Sequence, residues 1–232
     1  IAHGHIDLGM VPIENSTEGS VSDTLDSFVD SPVRIYAEVL INIHHNLLAN
    51  CDTEHIKRVY SHPQALGQCR HWLGVQLHQA ERVPVASTSK AAEMAATDEQ
   101  GAAIGSSLAG EIFGLRIQFA NVEDNPKNTT RFFIIGNQAG PRTGDDKTAI
   151  MFTTVHRPGS LSQVLDVFRD HGLNLTHIDK RPSQRVNWEY YFFLDFLGHE
   201  EDEKVRGAIE TSRKHCLQLT VLGSFPRAAE II

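Results

Sequence analysis

A short polar run at the start of an apolar stretch carries the most chemical information in this chain. Residues 128–136 read Asn-Thr-Thr-Arg-Phe-Phe-Ile-Ile-Gly and follow a polar loop at 121–126. The apolar part predicts a β-strand, so Thr130 and Arg131 should lie near the rim of a sheet. A hydroxyl can donate a proton, and a guanidinium can hold a carboxylate through two hydrogen bonds. The pair suits an anionic small molecule that loses a hydroxyl group.

Polar side chains also cluster where other predicted strands end and helices begin. They are Glu14 and Asn15, Ser61 and Gln64, and Thr88 in a Ser-Thr-Ser run. In open α/β sheets, ligands bind beyond the carboxyl ends of the strands. Any one of these groups could simply cap its helix. Taken together, they indicate a ligand site.

Alternating strand and helix patterns predict the elements that position these groups. Before residue 138, predicted strands at 8–13, 33–43, 56–60 and 102–105 alternate with predicted helices, which indicates an α/β sheet. Residues 137–147 are rich in Gly, Pro and charge, and they predict a linker. From residue 147 to 232 the order is strand, helix, strand, strand, helix, strand. This order predicts a ferredoxin-like βαββαβ domain.

Composition excludes several classes of function. Among 232 residues, 21 Lys and Arg stand against 29 Asp and Glu, a net charge of −8, which argues against binding nucleic acid or an acidic membrane. Cys51, Cys69 and Cys216 are widely spaced and predict reduced thiols in a cytoplasmic protein. The histidine pairs at 3/5 and 44/45 lack the neighbours of a metal site, so we predict neither metal nor cofactor.

Three motifs resemble those of the prephenate dehydratase family. They are Pro-Ile-Glu-Asn at 12–15, Ser-His-Pro-Gln at 61–64 and Thr-Arg-Phe at 130–132. The later part resembles the ACT regulatory domain. The resemblance implies a two-lobed dehydratase domain, similar to periplasmic binding proteins, over residues 1–138, and an ACT domain over 147–232. The family's opening strand and helix, with a Gly-Pro-x-Gly segment, are not found before Ile1, so we expect a truncated or processed chain.

The resemblance also implies roles for the polar groups. Thr130 would donate the proton to the departing hydroxyl of prephenate, and Arg131 would clamp a carboxylate. Phe132 would pack against the pocket floor and Asn15 would contact the substrate. Glu14 could orient Thr130 or the clamp, or cap backbone N–H groups. The remaining substrate-binding candidates are Ser61, Gln64 and Thr88.

The ACT segment implies regulation by L-phenylalanine at a subunit interface, in a homodimer or homotetramer. The matching residues are Gly159, Ser160, Leu161, Asn174, Leu175, Asp179, Arg181 and Pro182, with Trp188 also fitting the pattern. Asp179 and Lys180 stand where the family has Glu and Ser. A shorter carboxylate and a bulky cation are expected to weaken or alter feedback. Alternatively, the domain could serve only for dimerisation.

Other functions remain open from the sequence. Arogenate dehydratase performs the same elimination on the amino-acid analogue of prephenate. A catalytically inactive amino-acid sensor would retain the two-lobed architecture and lose turnover. A chorismate mutase segment could also lie upstream of Ile1.

Overall fold

The computed structural model describes residues 1, 6–183 and 189–231 of the chain. His3, His5 and Trp188 lie outside these residues, so the predictions made for them are not tested by the structure. In the described part, the chain divides into two compact units. The first unit combines residues 1–41 with 129–232, and the second consists of residues 42–128.

The described residues form strands and helices in mixed α/β order. The strands are β1 (Leu8–Asn15), β2 (Gly19–Ser20), β3 (Arg34–Asn42), β4 (Asn46–Ala49), β5 (Arg58–Ser61), β6 (Glu81–Pro84), β7 (Gly101–Gly105), β8 (Arg116–Phe119), β9 (Thr129–Gly136), β10 (Asp146–Thr153), β11 (Leu175–Pro182), β12 (Tyr190–Leu197) and β13 (Gln218–Pro226). The helices are α1 (Ser22–Phe28), α2 (Pro63–Gln68), α3 (Arg70–Gln76), α4 (Thr88–Thr97), α5 (Ser107–Phe113), α6 (Ser160–Asp170) and α7 (Glu203–Arg213).

Two four-stranded sheets organise the first unit. The first sheet has the order β2-β1-β9-β3, and the second has the order β11-β12-β10-β13. In the second sheet the strand pairs are antiparallel, and a helix follows its first and third strands in the chain. The predicted ferredoxin-like βαββαβ order of the C-terminal segment is therefore confirmed.

The two sheets of the first unit share an apolar core. Ile13, Ile35 and Phe133 of the first sheet pack with Met151 and Phe193 of the second. The other face of the second sheet has its own core, formed with apolar residues of α6 and α7. A strand buries alternate residues on opposite faces, so a sheet covered on both sides must be apolar on both. The second sheet satisfies this requirement.

Gly223 allows the two sheets to approach each other closely. A Cβ atom at this position would lie 2.4 Å from the carbonyl oxygen of Ile35 on β3. That distance is far below van der Waals contact, and the opposing atom belongs to the backbone. Only glycine fits this crossing without moving one of the strands.

The second unit contains a mixed five-stranded sheet in the order β6-β5-β7-β4-β8. β5 runs parallel to β6 and β7, whereas β4 runs antiparallel to β7 and β8. Ala91, Ala92 and Ala95 of α4 are buried with Ala103 of β7 in one core. Small side chains at this contact let the helix lie close to the strand.

One difference from the sequence prediction changes the site. β1 continues past Ile13 to Asn15, because β9 pairs with it as far as Asn15. Glu14 and Asn15 therefore lie on the strand itself and not in the turn that follows it. Because they are neighbours on a strand, their side chains point to opposite faces of the sheet.

Two details of the helices are local. Val21 is the N-cap of α1, and Ser22 is its first helical residue. Cys69 joins the short helices α2 and α3. The short strands β4, β6 and β8 had no periodic signal strong enough to predict them. Among the described residues, no helix has the length and apolar content needed to cross a membrane.

Candidate active site

Strands β1 and β9 bring Asn15 and Thr130 into direct contact. The two residues are register partners in the antiparallel pair. The side-chain amide nitrogen Nδ2 of Asn15 donates a hydrogen bond to Oγ1 of Thr130 at 2.7 Å. Thr130 is only 8% exposed, and its hydroxyl faces an amide and not hydrocarbon. The two residues come from motifs that are 115 positions apart in the chain.

A β-bulge at Ile13 sets this alignment. Pro12 pairs with Phe132, and Glu14 pairs with Arg131, so Ile13 is an extra residue on β1. A bulge places two residues opposite one and bends the strand. The shift by one residue puts Asn15 opposite Thr130.

The turn after β1 holds the amide of Asn15 in one orientation. Its oxygen Oδ1 accepts hydrogen bonds from the backbone nitrogen of Thr17 at 3.0 Å and from the Thr17 hydroxyl at 2.6 Å. Because the backbone N–H of Thr17 can only donate, Oδ1 must face Thr17, and Nδ2 then faces Thr130. The donor that Thr130 meets is thus determined by its neighbours.

This arrangement suits proton donation by Thr130. Oγ1 accepts a hydrogen bond from Asn15 and retains its own hydrogen for donation. A hydrogen bond to the charged form of an acid favours that form, so the amide stabilises negative charge developing on Oγ1. Phe132, two residues along β9, projects from the same face of the strand and is half-buried.

Arg131 has different partners from those predicted. Its side chain projects from the opposite face of β9, towards the second sheet, and is 9% exposed. Nε lies 2.7 Å from Glu38, and Nη1 lies 2.7 Å from Asp195. Two protein carboxylates thus engage the guanidinium, and this geometry does not support the prediction that Arg131 clamps a substrate carboxylate.

Glu38 is the main acceptor beside Arg131. Lys147 Nζ lies 2.8 Å from its Oε1, and the backbone nitrogen of Ala228 donates to the same oxygen at 3.0 Å. Burial would raise the pKa of Glu38, but the charges of Arg131 and Lys147 together hold that pKa below its usual value. Glu38 is therefore ionised at neutral pH.

Glu14 faces the second sheet as Arg131 does. Its Oε2 lies 3.3 Å from Nδ1 of His177 on β11, and its side chain is 39% exposed. The hydrogen bond with His177 lowers the pKa of Glu14 from its usual value, against the opposing effect of burial. This contact with β11 differs from both roles considered for Glu14, which were to orient Thr130 or the clamp and to cap backbone N–H groups.

The other substrate-binding candidates lie in the second unit. Ser61 is fully buried at the end of β5, and its hydroxyl donates to the carbonyl oxygen of Ile104 at 2.8 Å. That bond ties β5 to β7. Gln64 is exposed in the first turn of α2, where His62 Nδ1 accepts from its backbone nitrogen. Thr88 is the first residue of α4, after the N-cap Ser87.

The predicted effector residues lie around the start of α6 and along β11. Gly159 is the N-cap of α6 and has φ +84°, a left-handed conformation that favours glycine. Ser160 is 4% exposed, and its Oγ has no hydrogen-bond partner among the described residues. Leu161 packs against the helix-side core. Asn174 is exposed, immediately before the partly buried Leu175 that begins β11.

The end of β11 contacts the first sheet's helix. Arg181 donates two hydrogen bonds to Asp26 of α1, at 2.8 and 2.7 Å. These bonds hold the pKa of Asp26 below its usual value. Asp179 is half-buried and accepts from the backbone nitrogen of Lys180, while Pro182 is exposed. The guanidinium of Arg181 is thus bound within the chain.

Sequence reasoning missed four charged residues that lie behind the Asn15–Thr130 pair: Glu38, Lys147, His177 and Asp195. Two of them had a usable signal. Glu38 and Asp195 each interrupt an apolar strand, and buried carboxylates are rare unless they are paired. In the described part of the chain, no group of three or more His, Cys, Asp or Glu side chains is placed to hold a metal ion.

Comparison with known proteins agrees with the motifs. Residues 1–140 match the family model described as prephenate dehydratase, and residues 148–212 match the ACT domain model. The bifunctional chorismate mutase/prephenate dehydratase of Pseudomonas aeruginosa is 43% identical over 98% of this chain. The chain spans only 63% of that relative's length. The prephenate dehydratase of Mycolicibacterium smegmatis is 36% identical, over 97% of this chain and 74% of its own length.

A solved structure gives the same assignment. Prephenate dehydratase from Arthrobacter aurescens in complex with L-Phe superposes with a TM-score of 0.91 and 35% identity. The match covers 98% of this chain and 78% of that one. The α/β fold class predicted from the sequence is confirmed by this likeness. The chain therefore belongs to the prephenate dehydratase family, with an ACT domain after its dehydratase segment.

Proposed function

We propose that this chain catalyses the decarboxylative dehydration of prephenate to phenylpyruvate in L-phenylalanine biosynthesis. The observation that carries the proposal is the hydrogen bond from Asn15 to Thr130. It joins two motifs distant in sequence and leaves the hydroxyl as a proton donor. Family membership and the cited relatives support the same reaction.

The elimination needs one proton delivered to the departing hydroxyl. The C–CO₂ bond breaks and its electron pair enters the ring as the C–O bond breaks, so carbon dioxide leaves and the ring becomes aromatic. Thr130 donates a proton to the departing hydroxyl, which leaves as water. Asn15 stabilises the charge left on Oγ1 until a solvent proton replaces the one donated.

The other candidates have supporting roles in this proposal. Phe132 provides an apolar surface on the face of β9 that carries Thr130. Gln64 and Thr88, in the first turns of their helices, bind polar groups of the substrate. Ser61 supports this part of the second unit through its bond to Ile104.

Adjacent threonines provide a matched test. Thr130→Val removes the hydroxyl and keeps the shape of the side chain, so kcat for phenylpyruvate formation should fall by about a hundredfold to ten-thousandfold. Thr129→Val makes the same change on the opposite face of β9 and should alter kcat by less than about tenfold. Retention of activity in Thr130→Val, with both variants folded, would contradict the assignment.

We further propose that L-phenylalanine regulates the enzyme through the ACT domain, in a homodimer or homotetramer. The proposed effector residues are Gly159, Ser160, Leu161, Asn174, Leu175, Asp179, Arg181 and Pro182. Support comes from the unpartnered buried hydroxyl of Ser160 at the start of α6 and from the relative solved with L-Phe. The free thiols of the three cysteines favour a cytoplasmic protein.

Binding measurements separate the remaining alternatives. L-Phenylalanine should raise the melting temperature, and light scattering should report a dimer or tetramer. Turnover of arogenate in preference to prephenate would replace the proposed substrate. Binding of L-phenylalanine without turnover of either compound would identify an inactive sensor.

A further inference from the structure

Four charged side chains from four strands form a compact group behind the Asn15–Thr130 pair. Glu14 and Arg131 are register partners on β1 and β9, and His177 and Asp195 are register partners on β11 and β12. Glu14 lies 3.3 Å from His177, and Arg131 lies 2.7 Å from Asp195. When His177 is protonated, the signs alternate around the group, and two ion pairs join the sheets.

Glu38 on β3 and Lys147 on β10 extend this group into a charge cluster. The cluster consists of Glu14, Glu38, Arg131, Lys147, His177 and Asp195. Three carboxylates thus face two permanent cations, and protonation of His177 makes the charges equal. Burial would lower the pKa of His177, but the hydrogen bond with Glu14 and the charge of Asp195 raise it above the usual value, against the effect of Arg131.

The charge cluster is not built as an efficient stabiliser. Arg131 Nη2 and His177 Nε2 are buried and have no hydrogen-bond partner among the described residues. A partly satisfied buried network is costly, and apolar residues of similar volume often stabilise a fold equally well. What such a network provides is a defined orientation of the strands that carry it. Here those strands include both members of the β1–β9 pair.

His177 contacts β1 at Glu14, next to the residue whose amide binds the Thr130 hydroxyl. Its partner Glu14 immediately precedes Asn15, after the bulge at Ile13. Adjacent side chains on a strand point in opposite directions, so Glu14 points towards the second sheet while Asn15 points towards Thr130. A contact that fixes Glu14 therefore also fixes the backbone that carries Asn15. The ion pair therefore lies one residue from Asn15, which donates a hydrogen bond to the proposed acid, Thr130.

The strand that carries His177 also carries the predicted effector segment at 179–182. Arg181 lies four residues beyond His177 and on the same face of β11. It binds Asp26 of α1. The segment 177–181 of β11 is thus attached to β1 at one end and to α1 at the other. Asp179, the proposed effector residue, lies between these attachments.

We propose that His177 is a positioning residue, whose ion pair with Glu14 holds the end of β1 so that Asn15 meets Thr130. The same contact links this pair to the strand carrying the proposed effector residues. The proposal rests on the dehydratase function proposed above. It gives His177 no contact with the substrate.

Replacement of His177 tests this role against a matched histidine. In the full-length protein, His177→Gln should lower kcat for prephenate by about tenfold to a hundredfold, with little change in KM, because the acid group is misplaced. His177→Arg restores a cation opposite Glu14 and should recover most of the loss. His171→Gln, at the end of α6, should change neither constant.

The pH profile gives a readout that a purely structural role would not move. The histidine cation is present below the ordinary pKa of about 6.5 and is lost as pH rises through the raised folded value. The wild-type kcat should therefore decline above that value. His177→Arg remains charged and should lack this decline.

Two outcomes would overturn the positioning role. One is an unchanged kcat in His177→Gln, and the other is a loss that His177→Arg fails to recover. If the wild-type protein does not turn prephenate over, the proposed function fails. The positioning role of His177 is then tested by the NMR signal of the Asn15 side-chain amide. That signal should shift in His177→Gln and stay in place in His171→Gln. Without such a shift, the positioning role also fails.

Discussion

The two faces of strand β9 differ sharply in chemistry, although their residues alternate within one motif. Thr130 and Phe132 lie on the face with Asn15, where the polar contact is a neutral hydrogen bond. Arg131 and Phe133 lie on the face against the second sheet, where charges are paired and the aromatic ring is 3% exposed. Adjacent residues in a strand point in opposite directions, so a single motif serves both faces.

This difference shows how a family motif should be interpreted. Arg131 was predicted to clamp a substrate carboxylate because it stands in the Thr-Arg-Phe motif and a guanidinium can hold a carboxylate through two hydrogen bonds. In the structure its guanidinium stacks 4.7 Å over the ring of Phe133 and joins two carboxylates. In the proposed reaction Thr130 is the proton donor, whereas the contacts of Arg131 with Glu38 and Asp195 join β9 to β3 and β12.

Loss of Arg131 should have the largest effect on folding. Arg131→Met leaves the buried carboxylates of Glu38 and Asp195 without their common partner, so the free energy of unfolding should fall by about 3 to 5 kcal/mol. Chemical denaturation would measure it. Arg142→Met removes an exposed ion pair with Asp202 and should cost at most about 1 kcal/mol. Equal losses of unfolding free energy in the two variants would mean that the buried ion pairs of Arg131 stabilise the fold no more than an exposed ion pair does.

A substitution at Gly223 tests the approach of the sheets that buries this face. Gly223→Ala would place a methyl group 2.4 Å from the backbone oxygen of Ile35. Since neither strand can yield easily, the cost should be about 1 to 3 kcal/mol, measured by thermal or chemical unfolding. Gly114→Ala is the comparison for open space, because nothing lies within 4 Å of its Cβ position. Its cost should come from its left-handed backbone, φ +66°, alone.

Substitutions of Phe132 and Phe133 should have the smallest effects of the three comparisons. They should distinguish an effect on stability from an effect on substrate binding. Phe133 has edge contacts with Phe225 at 5.3 Å and Phe28 at 6.4 Å, so Phe133→Leu should cost about 1 to 2 kcal/mol of unfolding free energy. Phe132→Leu should cost less and raise KM for prephenate several-fold. Both variants need denaturation curves and steady-state kinetics. A reversed pattern would mean that the faces have been assigned to the wrong roles.

Local patterns predicted much of the fold. The alternation of strands and helices predicted for the C-terminal segment was correct in order. Ser87, in the Ser-Thr-Ser run, caps α4, and Gly114 ends α5 in a left-handed conformation that favours glycine. These signals succeed because a cap or an apolar repeat acts within about one turn of its own residue.

Motifs also singled out Asn15 and Thr130 separately, but no local signal paired them. Their contact depends on the register of β1 against β9, which in turn depends on the bulge at Ile13. The partners of Arg131 are further examples, because Glu38 lies 93 residues away and belongs to another strand. Long-range pairings of this kind leave no periodic trace in a single sequence.

By itself, the sequence determined most of the longer strands and helices and the ferredoxin-like order, and it predicted Thr130 as the proton donor. The tertiary structure alone decided that Thr130 faces an amide, that Arg131 faces carboxylates and that His177 meets Glu14. The physical reason is that propensities and caps are properties of neighbouring residues along the chain. Hydrogen bonds and ion pairs between sheets depend instead on how distant strands align and pack.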